Sequence, residues 1–222
     1  MLQYLVRHGE SLSNREGRVQ GQADVELSEV GRRQAASVGR WSGGLRSKEP
    51  IAEIWSSPLR RAVETADAIA AALRLPVRID ERLQELNAGI FQGHLWADLE
   101  SRFPDAVARW RSGDVDYAIP GGESRSQLAA RGREALESLA GRDAAAMIVV
   151  AHGGVLTAAL GSLIGRRHPL LAAAAERPFT KLPALDNCSV SVLEWPGPRL
   201  VSFNATAHLD QTDGREPLTA PP

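Results

Sequence analysis

Two short apolar runs in this chain of 222 residues end in the same way, and they constrain the fold more than any other feature. Leu5-Val6-Arg7-His8-Gly9 and Val149-Val150-Ala151-His152-Gly153 each run apolar, then place a histidine, then a glycine. Such runs read as buried strands, and the glycine lets the backbone turn sharply afterwards. If both strands are central and parallel, the two imidazoles emerge at the same end of the sheet. A single histidine in such a place is usually a hydrogen-bonded core or loop residue. The same grammar at two strand ends points to a shared site.

The rest of the chain supplies the helices that such a sheet needs. Strands are expected over Met1 to Val6, Ala52 to Trp55, Val77 to Ile79, Met147 to Ala151, Asn187 to Trp195 and Arg199 to Asn204. A helix capped by Ser28 should run to about Trp41 and stop at Gly43-Gly44. Leu59, Ala62, Val63, Ala66, Ile69, Ala70 and Leu73 form one apolar face of a second helix, which Pro76 ends. Short helical pieces are expected around Pro104, a longer helix over Ser124 to Leu139, and another after His152 through Leu163. Alternating strands and helices predict an α/β fold, a three-layer sandwich with a mostly parallel central sheet flanked by helices. Residues 1–208 read as a single domain and 209–222 as a polar, mobile tail. Ligands of such sheets sit beyond the carboxyl ends of the strands.

Charge and composition narrow the chemistry. Lys and Arg number 26 against 27 Asp and Glu, so a nucleic-acid or anionic-membrane surface is not expected. No apolar run approaches the length of a membrane span, and the N-terminus does not resemble a signal peptide, so a cytoplasmic protein is expected. The one cysteine, Cys188, excludes an internal disulfide and a thiolate zinc cluster. It also fails as a phosphatase nucleophile, because six positions on stands Glu194 rather than arginine. Cys188 should begin the penultimate strand as a small buried residue. No phosphate-binding G-x-x-x-x-G-K-S/T loop, G-x-S-x-G elbow or H-E-x-x-H pair is present, and the five histidines are too scattered for a metal cage. Neither a metal nor another cofactor is expected. His94 and His168 read as exposed loop residues. Trp41, Trp55, Trp96, Trp110 and Trp195 read as packing or rim residues.

Histidine with arginine remains. A neutral imidazole can attack phosphorus, while a permanently charged, fork-shaped arginine holds phosphate and disfavours the protonated ring. Arg7-His8 supplies this pair in one dipeptide.

The run Leu5-Val6-Arg7-His8-Gly9-Glu10-Ser11, with Asn14 beyond it, resembles the histidine phosphatase superfamily, in its phosphoglycerate-mutase-like branch. Further motifs are similar, in the same order: Ser56-Ser57-Pro58-Leu59-Arg60-Arg61-Ala62 with Thr65-Ala66, then Leu83-Gln84-Glu85 with Gly89 and Gln92-Gly93. Gly121-Gly122-Glu123-Ser124 and Ala151-His152-Gly153-Gly154 complete the set, and the likeness covers about residues 2–208. It implies that His8 becomes phosphohistidine, that Arg7 and Arg61 clamp the phosphate, and that His152 is a further donor to it. Asn14, Gln20, Gly21 and Gly153 would add substrate contacts. Glu85 would protonate the departing oxygen and then activate water. Arg60 reads as a solvated helix residue, and His208 as a residue that shapes the site without chemistry.

The resemblance leaves two chemistries open. Mutases of this kind have a longer segment before the G-G-E-S motif than the stretch 94–120 found here, and carry an arginine and a tyrosine where this chain has Leu86 and Ala88. A phosphatase acting on a small phosphorylated metabolite is therefore favoured over a phosphoglycerate mutase. A phosphate-binding regulator without turnover is a third reading, disfavoured because both His8 and Glu85 are present. Specificity should come from segment 94–120 and from Arg15, Arg18, Gln22, Leu86 and Phe91. The substrate itself is not legible, and a homodimer is one assembly open to the chain.

Overall fold

The computed structural model describes residues 1–174 and 183–209. The expected mobile tail from 210 onward lies outside the described residues. Leu209, placed in that tail by its sequence context, is instead buried against the core.

Six strands form one sheet: β1 (Leu2–Arg7), β2 (Ile51–Ser56), β3 (Val77–Ile79), β4 (Ala146–Ala151), β5 (Val190–Glu194) and β6 (Arg199–Ala205), in the spatial order β3-β2-β4-β1-β5-β6. The first four are mutually parallel, while β5 and β6 add antiparallel strands at one edge. The structure is thus α/β with a mostly parallel sheet. Every residue of β4 is buried. Met147, Val149 and Ala151 face one core, and Ala146, Ile148 and Val150 face the other, as the two-residue period of a strand requires. A strand covered on both faces reads as a continuous apolar run, which is why its sequence is so plain.

The helices fill both faces. On one lie α2 (Glu29–Leu45) and α3 (Arg60–Leu73), whose Ala62, Ala66, Ile69 and Leu73 pack on the sheet. On the other lie α6 (Arg125–Ala140) and α7 (Gly153–Ile164), contributing Leu128, Leu136, Val155 and Leu160. Helix α2 continues past Gly43-Gly44, where the sequence predicts a stop. The physical reason is Leu45, which packs against the core and outweighs the poor helix propensity of two glycines.

Shorter helices were less legible: α1 (Leu12–Glu16), α4 (Leu99–Arg102), α5 (Pro104–Arg111) and α8 (Pro169–Ala172). Helix α1 is held by Ser11, whose hydroxyl accepts from the Asn14 N–H. Helices α4 and α5 belong to a small third core of Val19, Ala88, Phe91, Leu99, Val107, Trp110 and Ile119. Cys188 is buried but precedes its strand, in a left-handed turn at φ 54°. His94 and His168 are half-buried rather than exposed. The His94 ring lies 5.1 Å from that of Phe103, and His168 Nδ1 accepts from the Leu170 N–H at the start of α8.

Candidate active site

The parallel pairing of β1 and β4 sets Arg7 opposite Ala151, so the next residues, His8 and His152, leave the sheet side by side. Their ring centroids are 5.0 Å apart. The His8 Nδ1–H donates to the Gly9 carbonyl at 2.6 Å, since a carbonyl can only accept. That fixes the tautomer and leaves a lone pair on Nε2. Arg61 Nε–H donates to that Nε2 at 3.3 Å, consistent with the same tautomer.

Arg61 reaches this position from the first turn of α3. Its remaining nitrogens donate to the carbonyls of Ala23, at 2.8 Å, and Gly21, at 2.9 Å. Burial lowers its pKa to about 10, opposed by the charges of Glu85 and Asp24, so it stays a cation at neutral pH. Thr65, one turn on, donates to the Arg61 carbonyl and accepts from the Gly9 N–H, tying α3 to the end of β1. Arg7 is buried and donates to the Leu185 carbonyl. Arg60 points away, pairing with Glu26 and Glu64 at the surface.

His152 is fully buried behind His8 and does not itself line the cleft. Its Nε2 lies 2.7 Å from the Ser57 hydroxyl. Burial, then the charges of Arg61, His8, Arg7 and Arg131, hold its pKa well below the ordinary histidine value. It is therefore a neutral ring that can offer one N–H.

Glu85 sits across the cleft on a loop and closes the N-terminus of α7. Its two oxygens accept from the backbone N–H groups of Gly154 (2.9 Å), Val155 (3.0 Å) and Leu86 (2.8 Å). The helix has no side-chain cap of its own from His152, so a distant carboxylate satisfies its first donors. Gly154 explains itself here, because a Cβ would stand 2.3 Å from Glu85 Oε1. The acid loop is pinned from outside by Arg131, which donates to the carbonyls of Arg82, Gln84 and Glu85 and pairs with Glu123 at 2.6 Å. Glu123 also accepts from the Asn87 N–H.

A cleft lies over these groups. Its walls include Arg7, His8, Asn14, Gln20, Gly21, Arg61, Glu85 and Gly153, so eight of the nine expected site residues meet there and His152 stands behind them. The Ser11 N–H donates to Asn14 Oδ1 at 3.2 Å and the Ser11 hydroxyl to Gln20 Oε1 at 2.7 Å, which leaves the two amide NH₂ ends as donors. Arg18 and Leu86 also line the cleft. His208 acts at a distance: its Nε2–H donates to the Cys188 carbonyl at 2.8 Å, and the Cys188 N–H in turn donates to the Arg7 carbonyl. Sequence reasoning did not single out Ser57, Arg131, Trp110 or Arg125 as site residues. Ser57 meets His152 across 95 residues, Arg131 reaches carbonyls 46 to 49 residues away and Trp110 meets Arg125 from a different helix, so no local signal marked them. Among the described residues no cluster of three or more metal-ligating side chains occurs, and no helix is long and apolar enough to cross a membrane.

Comparison with known proteins places this geometry in context. The model of the histidine phosphatase superfamily (branch 1) matches residues 3–206. A metal-independent phosphoserine phosphatase of Arabidopsis thaliana is 41% identical over 69% of this chain, a match that spans 65% of that relative's own length. A glucosyl-3-phosphoglycerate phosphatase of Mycobacterium tuberculosis is 37% identical over 72% of this chain and 74% of its own. A protein described as probable phosphoglycerate mutase GpmB, of Yersinia pestis, is 38% identical over 95% of this chain and 96% of its own. Among solved structures, Bacillus stearothermophilus YhfR superposes with a TM-score of 0.79 at 28% identity, covering 94% of this chain and 99% of that one. The mycobacterial glucosyl-3-phosphoglycerate phosphatase in complex with VO3 gives 0.74 at 32% identity, over 92% and 99% of the two chains.

Proposed function

This chain belongs to the histidine phosphatase superfamily (branch 1), and from that premise we propose that it hydrolyses a small-molecule phosphomonoester, without a metal, through a phosphohistidine on His8. The observation that carries the reading is the tautomer of His8. With Nδ1–H held by Gly9, Nε2 carries the lone pair, which accepts a 3.3 Å hydrogen bond from Arg61 at the wall of the cleft and is the atom that would attack phosphorus.

In the first half-reaction Nε2 attacks phosphorus in line and the bond to the ester oxygen breaks. Arg7 and Arg61 neutralise the equatorial oxygens, with Asn14, Gln20, the Gly21 turn and Gly153 as lesser contacts. Glu85 passes a proton to the leaving oxygen, and the alcohol departs. In the second, Glu85 takes a proton from water, water attacks phosphorus, and His8 is released with inorganic phosphate. The two steps sum to ester plus water giving alcohol plus phosphate, and Glu85 ends as it began. His152 serves as a neutral N–H donor beside His8.

Phosphate release from p-nitrophenyl phosphate should proceed in chelator and be blocked by vanadate. His8→Ala should abolish both turnover and acid-labile ³²P labelling of the protein. Full activity in that variant would sink the mechanism. A mutase reading deserves one arm, because the Yersinia relative matches over nearly the whole chain. Incubation with 3-phosphoglycerate and 2,3-bisphosphoglycerate should give free phosphate. Rapid 2-phosphoglycerate with little phosphate would favour the mutase.

A further inference from the structure

We infer that Arg125 recognises a carboxylate on the substrate, so that the esters this cleft prefers are phosphomonoesters of small organic acids. The inference rests on the phosphatase reading above and names the substrate class for the same cleft.

Arg125 opens α6, directly after the capping residue Ser124. Its side chain is buried, with only 5% of the residue exposed, and it lines the same cleft as His8, Arg61 and Glu85. All three guanidinium nitrogens lack a hydrogen-bond partner among the described residues. Buried polar groups are nearly always bonded, and buried charges nearly always paired, so three orphaned donors on one cation call for an explanation. The fully buried Arg61 makes the contrast: each of its three nitrogens has an acceptor. The indole Nε1–H of Trp110, also on the cleft wall, is buried and likewise has no partner among the described residues. Two neighbouring side chains thus present donors and no acceptor to the same space, as a site for an acceptor-rich ligand would.

The geometry favours a carboxylate among such ligands. Arg125 Cζ sits 3.7 Å from the Trp110 ring centroid, so the indole covers one face of the guanidinium and sets its plane. The edge of the fork is left to meet a planar, bidentate acceptor. The charged groups that act on Arg125 are Arg166 and Asp114, which are of opposite sign and offset each other. One net positive charge matches a carboxylate, whereas a second phosphate would call for more cations, as at the His8 end of the cleft. Burial lowers the Arg125 pKa to about 10, which leaves it a cation at neutral pH.

The test uses two pairs of esters that differ in one carboxylate: 3-phosphoglycerate against glycerol 3-phosphate, and phosphoserine against phosphoethanolamine. Fructose 1,6-bisphosphate serves as an ester with a second phosphate and no carboxylate, and p-nitrophenyl phosphate as a generic substrate. In the wild-type protein kcat/KM should be at least about tenfold higher for the acid of each pair. Arg125→Met should reduce that ratio at least about tenfold, with Arg125→Lys between the two. The readout is a ratio within each pair, so a general loss of activity cancels. Should Arg125→Met not fold, the wild-type ratios and Arg125→Lys decide. Ratios near one in the wild type, ratios unchanged by both substitutions, or preference for the bisphosphate over both acids would overturn the inference. Turnover of p-nitrophenyl phosphate without any carboxylate preference leaves the phosphatase reading standing and removes the role of Arg125. No phosphate release from any ester removes the phosphatase reading, and this inference with it.

Discussion

At the strand ends, Arg7 and Arg61 are tied to protein carbonyls, whereas at the outer wall the donors of Arg125 and Trp110 meet no acceptor among the described residues. Both regions hold buried arginines in one cleft. In the inner one each guanidinium nitrogen of Arg61 already has an acceptor before any ligand arrives, the preorganisation that holding a transition state requires. The outer one is complete only with a ligand, which is what discriminating between substrates requires. The difference makes opposite demands on stability, and substitutions can separate the two.

The largest effect is expected at Arg61. Arg61→Met should lower kcat/KM by about 10²–10³, the usual cost of one preorganised donor to a developing charge. It should also lower stability by about 2–4 kcal/mol, because the Gly21 and Ala23 carbonyls lose their donor in a buried place. Steady-state kinetics and urea unfolding measure the two. A stable variant with kcat/KM within twofold of wild type would break the account of the inner wall.

Glu123 comes next. It touches neither cleft nor substrate, but with Arg131 it fixes the loop that carries Glu85. Glu123→Gln removes the ion pair while keeping an acceptor for the Asn87 N–H. A fall of about tenfold in kcat with KM within twofold would mark it as a positioning residue for Glu85. Equal changes in both constants would mark a general loosening instead.

This network shows where the sequence is legible and where it is not. The motifs around His8, Arg61, Glu85 and His152 are short: the two histidines follow strand ends, Arg61 stands in the first turn of a helix, and Glu85 sits on a loop. Local pattern therefore carried most of the inner wall, and the β1–β4 pairing did the rest. The helix over 60–73 was readable from its apolar period, since tertiary packing and periodicity agree there. By contrast α1 is five residues long, and a capping box holds it rather than an apolar face. Arg131 reaches back 46 to 49 residues to its carbonyls, and Trp110 meets Arg125 only because α5 folds over the start of α6. Such contacts come from the fold as a whole. The Leu86 and Ala88 positions suggested a diluted carboxylate grip, and Arg125 on another element supplies a cation in the same cleft.

A smaller effect concerns pH. Folded His152 stays neutral in conditions where an unfolded histidine, with its ordinary value of 6.5, takes up a proton. Below about pH 6.5 the unfolded chain therefore binds more protons, and stability falls as pH drops toward the lower value of the folded group. The contribution to the slope is at most about 1.4 kcal/mol per pH unit. Urea unfolding from pH 8 to 5 should show His152→Asn with the shallower decline. Parallel declines in the two proteins would mean that His152 is not the buried neutral group of the inner wall.

The smallest effect has the opposite sign and tests the outer wall directly. Arg125 is a buried cation with no hydrogen-bond partner among the described residues, held by the face of Trp110. Removing an uncompensated buried charge relieves a desolvation penalty, while the lost stacking on tryptophan removes about 1–2 kcal/mol. Methionine keeps much of the volume and fits irregular apolar space beside an indole. Arg125→Met should therefore leave unfolding free energy unchanged or raise it by about 1 kcal/mol, in contrast to the loss expected for Arg61→Met. A loss comparable to that of Arg61→Met would mean that Arg125 is a structural residue with compensated donors. Equal or greater stability would mean that the fold maintains this cation at a cost, and the compensation for that cost is then to be found in a bound ligand.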